Sequence, residues 1–189
     1  MRRSLLGLAA VALAATGCPE TLEKLCPPTS TPAGNFQLSF GLQQTADQCR
    51  QILYSDGGPA DASIATNPAP ANSTLCAELI DAGPTLYLAV QGKGVRASPL
   101  ASDGGFSFVS TALAVPQTAC GCSVDITETI AGNLAAPGDA GFTVAPDGGL
   151  TPPATSIAAM LVDSVSSDAG GCLCNVPCAL HYTLTGTPN

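Results

Sequence analysis

Residues 36–42 read Phe36-Gln37-Leu38-Ser39-Phe40-Gly41-Leu42, an apolar residue at every second position with polar or small residues between. That period of two puts all four apolar side chains on one face, the pattern of a half-buried strand in an antiparallel sheet. The same rhythm recurs outward from this stretch. Residues 85–91 place Leu86, Leu88 and Val90 on one side and Tyr87 on the other, and residues 180–187 set Leu180, Tyr182 and Leu184 against His181, Thr183 and Thr185. Val124, Ile126 and Ile130 alternate with Ser123, Asp125, Thr127 and Thr129.

Between 106 and 115 the apolar phase shifts from Phe106 and Phe108 to Val109, Leu113 and Val115, after the turn dipeptide Asp103-Gly104. A hairpin with a bulge near Val109 is expected. Residues 142–145 run into Asp147-Gly148, a second hairpin-turn dipeptide. Residues 74–82 read as one or two helical turns closed by Gly83, while 46–55 and 155–167 fit helix and strand equally. The Gly-, Pro- and Ala-rich stretch 56–74 and residues 135–155 read as long surface loops and plausible contact regions. Many short strands separated by turn signals predict an all-β domain, either an antiparallel β-sandwich or a small, partly open barrel.

The chain begins MRRSLLGLAAVALAATGC, with Arg2 and Arg3 ahead of an apolar run at 5–14. That run is too short to cross a hydrocarbon core of roughly 30 Å as a helix, so it reads as a targeting segment. Ala15-Thr16-Gly17-Cys18 resembles the lipobox of bacterial lipoproteins. The resemblance implies a diacylglyceryl group on Cys18, with acyl chains such as palmitate, and cleavage that makes Cys18 the N-terminus. It covers about the first tenth of the chain. Family lipoboxes usually carry Leu three residues before the cysteine; Ala15 occupies that place here. The expected organisation is a signal peptide at 1–17, a lipid anchor and Pro-rich tether at 18–34, and one cysteine-rich β domain at 35–189. Pro19 is not the aspartate that, in family terms, retains lipoproteins at the inner membrane, so the outer membrane is the expected location.

Cysteine numbers support this organisation. The chain has nine, and setting Cys18 aside leaves an even set: Cys26, Cys49, Cys76, Cys120, Cys122, Cys172, Cys174 and Cys178. In an exported protein such a set is read as disulfides. Leu, Ile, Val and Phe make up only about a fifth of the chain beyond Gly17, near the composition at which cores become too thin, so covalent staples are expected to contribute to stability. A weak repeat sets Cys120-Gly-Cys122-Ser-Val124 against Cys172-Leu-Cys174-Asn-Val176, each running into a Thr-rich stretch that ends with a glycine, Gly132 or Gly186. Residues i and i+2 of a strand share a face, which predicts cross-links between the two segments. A four-thiolate metal site at Cys120, Cys122, Cys172 and Cys174 is the alternative. Structural zinc sites, however, separate paired ligands by two or more residues, so no metal or other cofactor is expected.

Without Arg2 and Arg3 the formal charge moves from −8 to −10, and only Lys24, Arg50, Lys93 and Arg96 are basic. Such a chain lacks the basic clusters that phosphate backbones require, so nucleic acid is not an expected partner. Seven of the ten aspartates precede Gly or Ala in turn-like contexts, which makes most of the acidity turn chemistry. His181 is the only histidine and lies on the polar face of its stretch. Asp125 and Glu128 are candidates for an acid pair of glycosidase type, but carboxylates three residues apart are common on solvated strands. No Gly-x-Ser-x-Gly, His-Glu-x-x-His or phosphate loop is present. The sequence therefore predicts a lipid-anchored, non-catalytic structural or binding module meeting the membrane through its anchor and an envelope protein or glycan through its domain. A small exported hydrolase using acidic residues and a disulfide-framed inhibitor are the rival readings.

Overall fold

The computed structural model describes residues 22–43, 68–117, 121–138, 141–167, 172 and 176–189. Eight strands form one antiparallel sheet: β1 (Thr31–Leu42), β2 (Ala71–Ile80), β3 (Gly83–Val90), β4 (Gly94–Pro99), β5 (Gly105–Gln117), β6 (Cys122–Ala135), and two later ones, β9 (Ser156–Ser166) and β10 (Cys178–Pro188). Between β6 and β9 a hairpin of two-residue strands, β7 (Thr143–Val144) and β8 (Leu150–Thr151), forms a separate small sheet. The sheet order is β4-β3-β2-β1-β10-β9-β6-β5. The sheet curls until its edge strands β4 and β5 face each other, so a nearly closed barrel forms.

Inside the barrel the sequence alternation becomes burial. Phe36 and Leu38 from β1, Leu86, Leu88 and Val90 from β3, and Leu180, Tyr182 and Leu184 from β10 all point inward and are almost fully covered. The residues at 156–166 take the strand choice. Leu161 and Val165, four apart and equally compatible with a helix, both face the core because four is also a multiple of the strand period.

Three expectations are corrected. Residues 74–82 are not helical: they belong to β2 up to Ile80 and then turn into β3. The alternation fails there because β2 is covered on both faces, with Leu75 and Ala77 inward and Cys76 packed outward beneath a 3-10 turn at Leu22–Leu25. The bulge of β5 lies between Ala112 and Val115, not near Val109, and Ala114 adopts a φ of 52°. Residues 135–155 are not a free surface loop. Phe142, Val144 and Leu150 are buried in the main core, and the β7–β8 hairpin plugs one end of the barrel.

The plug is fastened to β1 and β2. Thr31 donates its hydroxyl to the Asp147 carbonyl at 2.5 Å. Gly148, at φ +84°, sits so close that a Cβ would meet Thr31 Oγ1 at 2.7 Å and the Ala77 carbonyl at 3.0 Å. The two glycines that end the cysteine repeats flank β9 from either side, Gly132 opposite Ala159 and Gly186 opposite Ile157. A Cβ on Gly132 would lie 2.2 Å from the Ala158 carbonyl. Glycine there is a requirement of close strand approach.

Two disulfides close loops of 50 residues each, Cys26–Cys76 and Cys122–Cys172. Cys178 is disulfide-bonded as well. Loop-closure entropy at this separation corresponds to about 4 kcal/mol per bond. The first bond and the 3-10 turn place the chain from Leu22 onward against the barrel wall, and β1 begins at Thr31, so the domain starts inside the stretch expected to be a tether. Cys18, Cys49, Cys120, Cys174 and most of the two stretches at 46–55 and 56–74 lie outside the described residues.

Candidate functional site

The seam between β4 and β5 holds the one group of buried charges among the described residues. β4 reads Gly94-Val95-Arg96-Ala97-Ser98-Pro99 and turns Arg96 and Ser98 inward, so the strand that should finish the apolar lining presents a guanidinium and a hydroxyl instead. Across the sheet, register puts Ser110 of β5 opposite Glu128 of β6, Glu128 opposite Asp163 of β9, and Asp163 opposite Leu180 of β10. A polar row therefore runs from the seam into the barrel until Leu180 ends it.

Glu128 is the hub. Lys93, in the β3–β4 turn, donates to Glu128 Oε2 at 2.9 Å, and Arg96 Nη2 ion-pairs with Glu128 Oε1. Arg96 Nε donates to Ser110 Oγ at 3.2 Å, which ties the two edge strands together. Arg96 is 7% exposed and Glu128 8%, so both charges have left water and depend on each other. Asp163 completes the row. Burial first, and the neighbouring Glu128 carboxylate second, push its carboxyl up to about 6, against the lowering pull of Lys93 and Arg96. Arg96 Nη1, Asp163 Oδ1 and Glu128 Oε1 are shielded and make no hydrogen bond among the described residues, Glu128 Oε1 being held by its ion pair with Arg96 alone.

These side chains line a cleft of about 410 Å³, bordered also by Thr111, Ala112 and Ile126. A second hollow of about 380 Å³ lies at the plugged end beside Phe142. Its carboxylate, Asp103, accepts the Gly105 N–H at 3.0 Å and so serves the β4–β5 turn.

The expected acid pair is not what forms. Asp125 and Glu128 are separated by an odd number of positions and lie on opposite faces of β6. Asp125 accepts the N–H of bulged Ala114 at 2.8 Å, and Glu128 meets Asp163 instead. His181 sits on the outer face of β10 with Val162 as its cross-strand neighbour. The four-thiolate metal alternative is overturned at two of its members, because Cys122 and Cys172 are bonded to each other.

Lys93, Arg96 and Ser110 carry no local signal of this role in the sequence. One signal was present for Asp163. It falls two residues from both Leu161 and Val165, in phase with the apolar set of its strand, and an acid in that phase has to be buried. Glu128 stands likewise in phase with Val124, Ile126 and Ile130. Comparison with protein families, curated proteins and solved structures returned no match to this chain.

Proposed function

We propose that the chain is an exported, lipid-anchored envelope protein whose barrel is a non-catalytic binding or structural module. The observation that carries this reading is the Cys26–Cys76 bond. Only eight residues separate Cys18 from that fixed point, a reach of at most about 28 Å even when fully extended. A lipid on Cys18 would therefore hold the barrel close above a membrane. Disulfide staples belong to an oxidising compartment, which fits export. The acidic surface, with few basic residues, keeps nucleic acid out of the reading.

Intact mass measurement of the protein purified from membranes tests the anchor. The expected result is a mature chain starting at Cys18 and carrying diacylglyceryl and acyl groups, with Cys18→Ser shifting the protein from the membrane to the soluble fraction. An unmodified Cys18, or a mature N-terminus elsewhere, would overturn it.

A second reading draws on Glu128 and Asp163. Two carboxylates side by side on a cleft, one titrating near 6, are the raw material of an acid-catalysed hydrolase. Both oxygens of Glu128 are paired with cations, Lys93 and Arg96, however, and neither is left open to serve as a base beside Asp163. The binding reading is therefore preferred. Turnover of chromogenic glycosides or esters that disappears in both Glu128→Gln and Asp163→Asn would reverse that preference.

A further inference from the structure

We infer that the cleft at the β4–β5 seam is a binding site for a neutral, hydroxyl-rich ligand of the saccharide class, with one hydroxyl accepting from Arg96 and an adjacent one donating to Asp163. The inference rests on the reading of the barrel as a binding module and supplies that module with a site and a ligand chemistry.

Among the described residues Arg96 Nη1 is a donor with no acceptor, and Asp163 Oδ1 and Glu128 Oε1 are acceptors with no hydrogen-bond donor, the latter held only by its ion pair with Arg96 Nη2, in side chains that border the same cavity. Buried polar groups are ordinarily satisfied, so a donor and acceptors left open at one place call for a partner that both accepts and donates. A hydroxyl does both, and two hydroxyls on neighbouring carbons would reach both groups.

Charge narrows the class further. Lys93 and Arg96 balance Glu128 and Asp163, so the cleft offers no net attraction to an ion of either sign. An anion would meet Glu128 and Asp163, and a cation would meet Lys93 and Arg96. A zwitterionic amino acid needs a free guanidinium fork for its carboxylate. Here Nη2 is held by Glu128 and Nε by Ser110, leaving a single nitrogen. Ala112 and Ile126 supply a small apolar border suited to the C–H face of a sugar ring. No aromatic ring lines the cleft among the described residues, so affinity for a single sugar unit should be on the order of millimolar.

Access is built into the seam. β4 and β5 are not paired in the sheet, and at this level side-chain bonds such as Arg96 to Ser110 hold them together. Parting those two edges breaks no backbone ladder.

The test is a titration of the isotopically labelled mature chain with glucose, galactose, mannose and N-acetylglucosamine, followed by amide NMR shifts. Phosphate and lysine methyl ester serve as anion and cation controls. The expected result is saturable shifts at Arg96, Ser110 and Glu128 with at least one sugar and none with either control. Ala112→Trp fills the cleft from an exposed position and should weaken that affinity at least tenfold with the rest of the spectrum unchanged. Asp163→Ala should weaken it similarly. Absence of saturable shifts with all four sugars, or binding unaffected by Ala112→Trp, overturns the inference. Capture of an envelope partner that is undiminished in Ala112→Trp would overturn the cleft as the site and leave the module reading standing.

Discussion

The wall formed by β1 and β10 and the seam between β4 and β5 lie on opposite sides of one barrel and are held by different forces. At the wall each strand has ladder partners on both sides, and the inward residues, among them Phe36, Leu38, Leu180 and Leu184, are apolar and almost wholly covered. Where a polar group is buried near this wall it is satisfied locally: Ser73 donates to the Phe36 carbonyl at 3.1 Å and Thr74 to Asn35 Oδ1 at 2.7 Å. At the seam the sheet does not ladder, and polar side chains take over closure. Ser98 Oγ accepts the Ser107 N–H at 2.8 Å near the turn, and Arg96 reaches Ser110 farther along. An apolar lining cannot make such links between two strand edges. Charge at the seam is therefore the consequence of closing a barrel whose two edge strands do not pair.

That contrast predicts opposite responses to mutation. Phe36→Ala at the wall removes a side chain that is 1% exposed and should cost about 4 kcal/mol of unfolding free energy, because packed neighbours collapse only partly into the space. Arg96→Ala at the seam should cost about 3 kcal/mol for a different reason, the abandonment of Glu128 as a buried anion with only Lys93 beside it. Denaturant unfolding separates the two. Replacing Arg96 and Glu128 together by Met should recover most of the seam loss, since neither charge is then stranded. A double variant as unstable as Arg96→Ala would show that packing and not charge dominates the seam, and the distinction between the two regions would fail.

Legibility in the sequence divides along the same line. The wall was readable, since Phe36, Leu38, Leu180 and Leu184 follow a strict period of two that depends on local geometry alone. So was the link between the two cysteine repeats, through Cys122 and Cys172. β2 is not legible as a strand because Cys76 is buried on the outer face by the Leu22–Leu25 turn, a contact between segments some fifty residues apart that no window sees. β4 is hidden from the pattern, since Val95-Arg96-Ala97-Ser98 alternates with the polar residues on the inside. The site has the same difficulty. Lys93, Arg96, Ser110, Glu128 and Asp163 come from four strands and a turn, and their meeting depends on sheet order, which periodicity does not encode. Asp163 and Glu128 alone carried a local trace, their phase.

The smallest expected effect sharpens the contrast most directly. Asp163 titrates near 6 in the barrel against 3.8 without its surroundings. Between those values the folded chain holds a proton that the unfolded chain has released. Asp163 is therefore harmless to stability below about pH 4, and its destabilising effect grows as pH rises through 6 and stays constant above it. Two pKa units correspond to nearly 3 kcal/mol for a group cut off from water; partial solvent contact lowers this to about 1 kcal/mol. Asp163→Asn keeps the shape and removes the charge, so it should be about 1 kcal/mol more stable than the parent at pH 7.5 and indistinguishable from it at pH 4. The same substitution should flatten the stability profile between those pH values, as no carboxylate at the wall would. Equal differences at both pH values in denaturant unfolding would mean that Asp163 does not titrate across this window and that the seam charges are balanced without its proton.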